Sequence, residues 1–395
     1  MENRAINMRI AIVSKIPMFP TTGGNRARIL TLVQALHAMG CEVFFILIPS
    51  RQLAVFDEEK HVELLGAHRF VILEFTLLAR IRDFAKKAFY SIHYKLYKKV
   101  KRKTALRNSP DYLFEREITS SINDLFEIWQ PRAVVIVYVH FSAVLDSLNS
   151  SIYKIIDTQD AFFNEFTAEA ESKGLNRADK IIAIQDKEAD YFRSILPRAN
   201  VDKVATIGHI TTSSERAVLR QNCAASFVGS LFEANIISIL YFVNDVLPAI
   251  LKEVPDFRLY VGGSICDVLQ GKEGVIPLGK VDRLLDLFEK GPILINPIRA
   301  GTGLKIKLID AMALGLPVIS TVRGVEGLPD DMVQCVEVID DDDAAAFAAA
   351  VIKMCLDENS RATKGDQAFK CSKFWNERQR GGLRTILEEV KRMSA

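Results

Sequence analysis

The chain has 395 residues, 49% of them apolar and 25% charged, a soluble-enzyme composition whose length argues for two or three domains rather than one core. Fifty-one Lys and Arg against 49 Asp and Glu leave a formal charge of +2, which gives no overall case for nucleic acid as a partner. The six cysteines (Cys41, Cys223, Cys266, Cys335, Cys355, Cys371) form no C-x-x-C pair and no Cys/His cluster. That argues against a zinc site and a disulfide framework, and for a reducing cytosol. The opening run is too short for a signal-peptide core, and no segment approaches the roughly 18 apolar residues of a membrane helix.

In chain order, "MRIAIVS" (Met8–Ser14) predicts a first buried strand, followed by a loop with Pro17, Pro20 and Gly23-Gly24. "RARILTLVQALHAMG" sets Ile29, Leu32, Val33 and Leu36 on one helical face, with Gly40 as its stop. "CEVFFILIP" completes a β-α-β unit, and "AVVIVYV", "YKIID" and "KIIAI" read as further strands covered on both faces. A second series runs through "ASFVGS", a helix over Ile236–Lys252, and "FRLYVGG", "GVIPLG", "PILIN", "LPVIST" and "VQCVEV". Strand and helix alternate in both halves, so the expected fold is α/β with two doubly wound Rossmann-like domains facing a cleft. The expected boundaries are 1–208, 209–372 and a returning helix at 373–395, with the apolar pattern lapsing over Ile207–Asn222.

The run Asp340–Asp343 stands directly before "AAAFAAAVIKM" and reads as a helix N-cap, with a metal site as the minority reading. Arg80–Arg107 carries eleven Lys and Arg against Asp83 alone. Ile81, Ala85, Ala88, Ile92, Leu96 and Val100 form an apolar helical stripe there. Such an insertion can lie on an anionic membrane surface, grip the phosphates of a lipid-linked acceptor, or simply pack on its own domain.

The segment "NPIRAGTGLKIKLIDAMALGLPVIS" (Asn296–Ser320) is an electrostatic misfit. A strand runs into Gly-Thr-Gly and then a helical pattern with Lys305 and Lys307 in its first turn, where the helix dipole disfavours cations. With the helix starting near Gly303, Gly303, Lys307 and Asp310 share a face. Lys307 to Asp310 then spans about 4.5 Å and Gly303 to Asp310 about 10 Å, close to a diphosphate joined to a ribose. Glycine loops and helix starts bind anions, lysine suits phosphate, and a carboxylate suits ribose hydroxyls. The spacing therefore points to a nucleoside diphosphate; the plainer alternative is that both lysines extend into water.

The same segment, "GTGLKIKLIDAMALGLPVISTVRGVEGL", resembles the donor-binding segment of retaining glycosyltransferases of family four, of bacterial group 1 type, with the GT-B fold. The Gly-Gly loop, "NRADKIIAIQDKEADYF", "FVGSLFEANIISILYFVNDVLPAI" and "PLGKVDRL" match in the same order. The resemblance implies a nucleotide-sugar donor, a glycan or lipid-linked acceptor, no cofactor and no metal. It places Gly23, Gly24, Gly229, Gly279, Lys280, Gly301, Thr302, Gly303, Leu304 and Asp310 at the donor, and His140, Lys305 and Lys307 in catalysis. Asp310 stands where many members carry a ribose-binding glutamate, while the glutamate that meets the sugar has no counterpart near Ala300. The basic residues usual after the first strand of the second domain are missing from "GSLFEAN". Asp157 and Asp160 follow a strand end and can orient an acceptor hydroxyl or cap a helix. The absence of G-x-G-x-x-G argues against a dehydrogenase. A sugar-nucleotide epimerase and a non-catalytic membrane-surface scaffold remain as alternatives, and a cytoplasmic location, at most peripheral to the membrane, is expected.

Overall fold

Strand β1 (Met8–Ser14) is buried at six of its seven positions and β4 (Ala133–Val137) at all five, the signature of parallel strands covered on both faces. The computed structural model describes residues 8–49, 56–74, 106–113, 116–212, 216–217, 222–301 and 303–393. By its contacts the chain divides into two units: 1–20, 32–208 and 381–395 in the first, and 21–31 and 209–380 in the second.

The first unit holds a seven-stranded sheet of order β3-β2-β1-β4-β5-β6-β7, parallel throughout. Its other strands are β2 (Cys41–Leu47), β3 (Phe70–Ile72), β5 (Tyr153–Asp157), β6 (Lys180–Ala183) and β7 (Val204–Thr206). The edge strands β3 and β7 have three residues each, too few to carry a period, and sequence reading passes over them. The loop after β1 is pinned by buried His61, whose Nε2 accepts from the Met18 amide at 2.9 Å while Nδ1 donates to the Asp57 carbonyl at 2.6 Å.

The second unit holds a six-stranded parallel sheet of order β10-β9-β8-β11-β12-β13. These are β8 (Ala224–Val228), β9 (Arg258–Gly262), β10 (Val275–Gly279), β11 (Ile293–Asn296), β12 (Val318–Thr321) and β13 (Glu337–Ile339). Both orders reverse direction beside the first strand of the set, at β1/β4 and at β8/β11, the switch points where doubly wound sheets bind ligands. The α/β expectation of two doubly wound sheets is met.

Three sequence expectations need correction. The helix after β8 runs from Glu233 to Glu253 with a mean hydropathy of 1.7, long and apolar enough to cross a membrane by composition. It is a core helix instead: Ile239, Phe242, Val246, Leu247 and Ile250 are buried against Phe347 and its neighbours. Pro248 lacks an N–H, and the helix accommodates it with a π turn over Phe242–Val246. Second, Cys335 and Cys371 are joined by a disulfide across 36 residues, with Cα atoms 6.6 Å apart. That spacing is set by the intervening fold, so no local motif announces it.

Third, the final helix is one element, Glu358–Met393, and it leaves the second unit at Gly381 rather than at residue 373. Residues 373–380 stay because Trp375 Nε1 donates to the His209 carbonyl at 2.7 Å and Asn376 bonds both the N–H and C=O of Thr211 at 2.8 Å. Beyond Gly381, Glu389 accepts from Tyr153 and Lys180 of the first unit. Residues 21–31 likewise group with the second unit. Replacing Asn376 by Ala leaves the N–H of the buried Thr211 without a partner and its carbonyl with only the longer 3.5 Å bond from Arg380. We expect a loss of about 1–3 kcal/mol in stability, read as a lower urea midpoint with the fold retained.

Candidate active site

At the β8/β11 switch point the second unit has a pocket of about 210 Å³. It is lined by Phe227 and Val228 of β8 and Ser230 just beyond it, by Asn296 of β11 and Ile298 after it, by Leu304 and Lys305 of the following loop, by Ile306 and Lys307 of the next helix, and by Gly24. The volume is below the roughly 300–1,000 Å³ of a whole ligand site, so it suits part of a ligand. Gly24 comes close enough that a Cβ there would lie 3.3 Å from Cδ1 of Ile306. Among the predicted residues, Gly24, Leu304, Lys305 and Lys307 therefore meet in one pocket. Gly23, Gly229, Gly279, Lys280, Gly301, Gly303 and Asp310 are outside its lining, and Thr302 lies outside the described residues.

The helix begins at Ile306, not near Gly303. Gly301 and Gly303 have φ values of 97° and 87°, a left-handed backbone that a right-handed helix cannot contain and that glycine adopts without strain. Lys305 is consequently the N-cap, and its Nζ turns back to donate to the Gly303 carbonyl at 2.7 Å. Lys307 alone keeps its place in the first turn. Its Nζ donates to the Val228 carbonyl at 3.0 Å. Burial pulls its pKa from the usual lysine range to about 8, against a smaller upward pull from Asp310.

Asp310 follows one turn along the same helix, and its Oδ1 accepts from Nε2 of His209 at 2.8 Å. His209 is fully buried and was not singled out from the sequence, where it stands in a stretch without apolar periodicity. Only the tertiary contact identifies it.

The ends of β8, β9 and β10 are stitched by backbone bonds. Gly229 donates to the Gly262 carbonyl, Ile265 donates to the Gly229 carbonyl, and Gly263 donates to the Gly279 carbonyl. A Cβ on Gly263 would stand 2.1 Å from the Gly229 carbonyl oxygen, so glycine is required there for the two loops to approach. Gly229 and Gly279 thus shape the rim, and Lys280 forms an exposed pair with Asp282 at 3.1 Å.

At the first unit's switch point, His140 follows β4 in a 3₁₀ segment and is 4% exposed. Its Nε2 lies 3.3 Å from Oε1 of Glu165, which also pairs with Arg107. Burial lowers the His140 pKa, Glu165 opposes this, and Lys15 and Arg107 reinforce it. Arg107, the last residue of the basic run, is bridged to Phe166 and so reaches this histidine, while residues 80–105 of that run lie outside the described residues. Asp157 is fully buried and accepts from Gln159, at 3.2 Å. In the second unit Asp343 caps the helix Ala344–Leu356 by accepting from Ala346 N, as the acidic run predicts. Among the described residues no group of three or more His, Cys, Asp or Glu is arranged to hold a metal ion.

Lys307 carries a stability consequence with a definite sign. Its folded pKa is below its unfolded value, so the buried charge costs stability below pH 8 and the cost fades as pH rises toward the unfolded lysine range. Lys307→Met should raise the stability of the ligand-free protein at pH 7 by about 1–2 kcal/mol, with the advantage shrinking as pH rises from about 8 and largely gone above about pH 10, measured by denaturant titration.

Residues 223–357 match the family described as Glycosyl transferases group 1. A protein of Klebsiella pneumoniae, named as an uncharacterized 44.6 kDa protein in the cps region, is 24% identical over 352 residues, covering 81% of this chain and 84% of its own. Among solved structures, sucrose-phosphate synthase from Thermosynechococcus elongatus superposes with a TM-score of 0.66 at 15% identity, over 97% of this chain and 99% of its own. Anabaena HepE in complex with UDP-glucose superposes with a TM-score of 0.60 at 12% identity, over 96% and 100%. With the two switch-point sheets, these likenesses give the chain the two-sheet GT-B fold and make residues 223–357 similar to a group 1 glycosyltransferase domain.

Proposed function

We propose that the protein transfers a glycosyl group from a nucleoside-diphosphate sugar to an acceptor hydroxyl, with retention of configuration and without a metal ion. The observation that carries this is the Lys307 ammonium, half-buried in the pocket at the β8/β11 switch point that Gly24 also lines. A cation partly withdrawn from water without a stoichiometric anion within hydrogen-bond reach is costly, and a diphosphate arriving there compensates it. As the bond from sugar to diphosphate breaks, charge grows on the leaving oxygen, and a preorganised cation stabilises it most where water is excluded. Lys305, at the mouth of the same pocket, can release the Gly303 carbonyl and join Lys307 on the phosphates. Asp310 meets the ribose, and the rim at Gly229, Gly279 and Lys280 borders the base. In the first unit His140, its pKa lowered by burial and its Nε2 3.3 Å from Oε1 of Glu165, is the candidate hydrogen-bonding group for the reaction.

The acceptor is proposed to be a glycan or lipid-linked glycan of cell-surface polysaccharide synthesis, on the inner face of the membrane. The basic run at 80–107 supports this, as does the relative named for its cps region. UDP is the reasonable first nucleotide to try, because HepE is described with UDP-glucose.

Incubation with UDP-sugars and membrane lipid extract should release UDP only when acceptor is present; formation of an epimer without acceptor would replace this assignment with an isomerase. Lys307→Ala and Asp310→Ala should each weaken UDP about tenfold or more by calorimetry, the size of a lost charge-assisted contact. In the parent protein UDP affinity should fall above pH 8, by up to about tenfold per pH unit, as Lys307 loses its proton. A flat profile from pH 7 to 9.5 would separate Lys307 from the diphosphate. Neutralising Lys98, Lys99, Lys101, Arg102 and Lys103 should reduce co-sedimentation with anionic liposomes; equal co-sedimentation would remove the membrane surface from the proposal.

A further inference from the structure

His209 is the first residue of the second unit after the chain leaves the first, and it is fully buried. Its ring touches the nucleotide helix through one hydrogen bond, Nε2–H to Oδ1 of Asp310 at 2.8 Å. The other ring nitrogen, Nδ1, is buried with no hydrogen-bond partner among the described residues. A donor is required at Nε2 and nothing is supplied at Nδ1, so the arrangement suits one tautomer.

The backbone behind the ring is held as firmly. Trp375 Nε1 donates to the His209 carbonyl at 2.7 Å, and Asn376 bonds the Thr211 N–H and C=O at 2.8 Å each. Three bonds from one helix therefore anchor the stretch that carries the histidine.

Asp310 is only partly covered, with 19% of its side chain exposed, and no other hydrogen bond to it is made among the described residues. One carboxylate oxygen is thus committed to His209 and the other is available. A carboxylate that grips a ribose through one oxygen needs its rotamer set beforehand, because an aspartate free to rotate loses that freedom on binding.

We propose that His209 is a positioning residue of the nucleotide site, its Nε2–H holding Oδ1 of Asp310 so that Oδ2 accepts from a ribose hydroxyl. This rests on the nucleoside-diphosphate reading of the Lys307 pocket. It adds the source of discrimination for a ribose over a deoxyribose: a histidine 101 residues away in sequence that does not itself touch the ligand.

The test is calorimetric titration of the full chain with UDP, 2′-deoxy-UDP and 3′-deoxy-UDP. The parent should prefer UDP over at least one deoxy analogue by about tenfold, the worth of a charge-assisted hydrogen bond. His209→Asn, whose amide is too short to reach Asp310, should weaken UDP about tenfold while leaving that deoxy analogue unchanged. His209→Gln, whose Nε2 can reach, should restore the preference. Retained preference in His209→Asn, or an equal loss for UDP and its analogues, would overturn the proposal and leave His209 a packing residue. A parent that binds UDP without distinguishing the analogues removes the positioning role but keeps the diphosphate site; a parent that binds no UDP removes both. Should His209→Asn not fold, ¹⁵N-labelled histidine in the parent decides: a protonated Nε2 that shifts with UDP but not with that deoxy analogue supports the proposal, and an unprotonated Nε2 ends it.

Discussion

The second unit turns on a half-buried lysine ammonium set at the point where its sheet reverses. Lys307 meets the Val228 carbonyl at the end of β8, while its own helix starts from the end of β11, so one hydrogen bond ties the two strands that flank the switch point. Neither the carbonyl nor Asp310 one turn away fully replaces hydration, which is why burial dominates its proton affinity. A doubly wound sheet creates the concavity, and this charge gives it a sign.

The loop before the helix serves the same end. Gly301 and Gly303 delay the helix to Ile306, so Lys305 falls on the cap and Lys307 in the first turn. Had the helix started near Gly303, the two lysines would have entered its positive end together and pointed apart. The delay converts an unfavourable pair into one anchored cation and one that folds back on the loop. Asp310 then comes one turn later, where His209 can reach it.

Much of this was legible locally. Buried parallel strands show as continuous apolar runs, and β1, β2, β4, β5 and β6 in the first unit and β8 and β11 in the second stand where those runs fall. Edge strands β3 and β7 did not show, because three residues carry no period. The Asp340–Asp343 run was readable because an N-cap is a contact between neighbours in sequence. The helix start in the segment after β11 was misplaced by three residues, since two left-handed glycines are a backbone fact that composition only permits.

The sequence by itself determined the α/β class, and it placed Lys305, Lys307 and Asp310 in the segment after β11. Each depends on period, glycine spacing or neighbouring side chains. Only the tertiary structure decided that Lys307 rather than Lys305 lies against β8, that Cys335 meets Cys371, that residues 373–380 remain with the second unit, and that His209 holds Asp310. Those are contacts between residues from 36 to 166 positions apart, beyond the reach of any local period or neighbouring side chain.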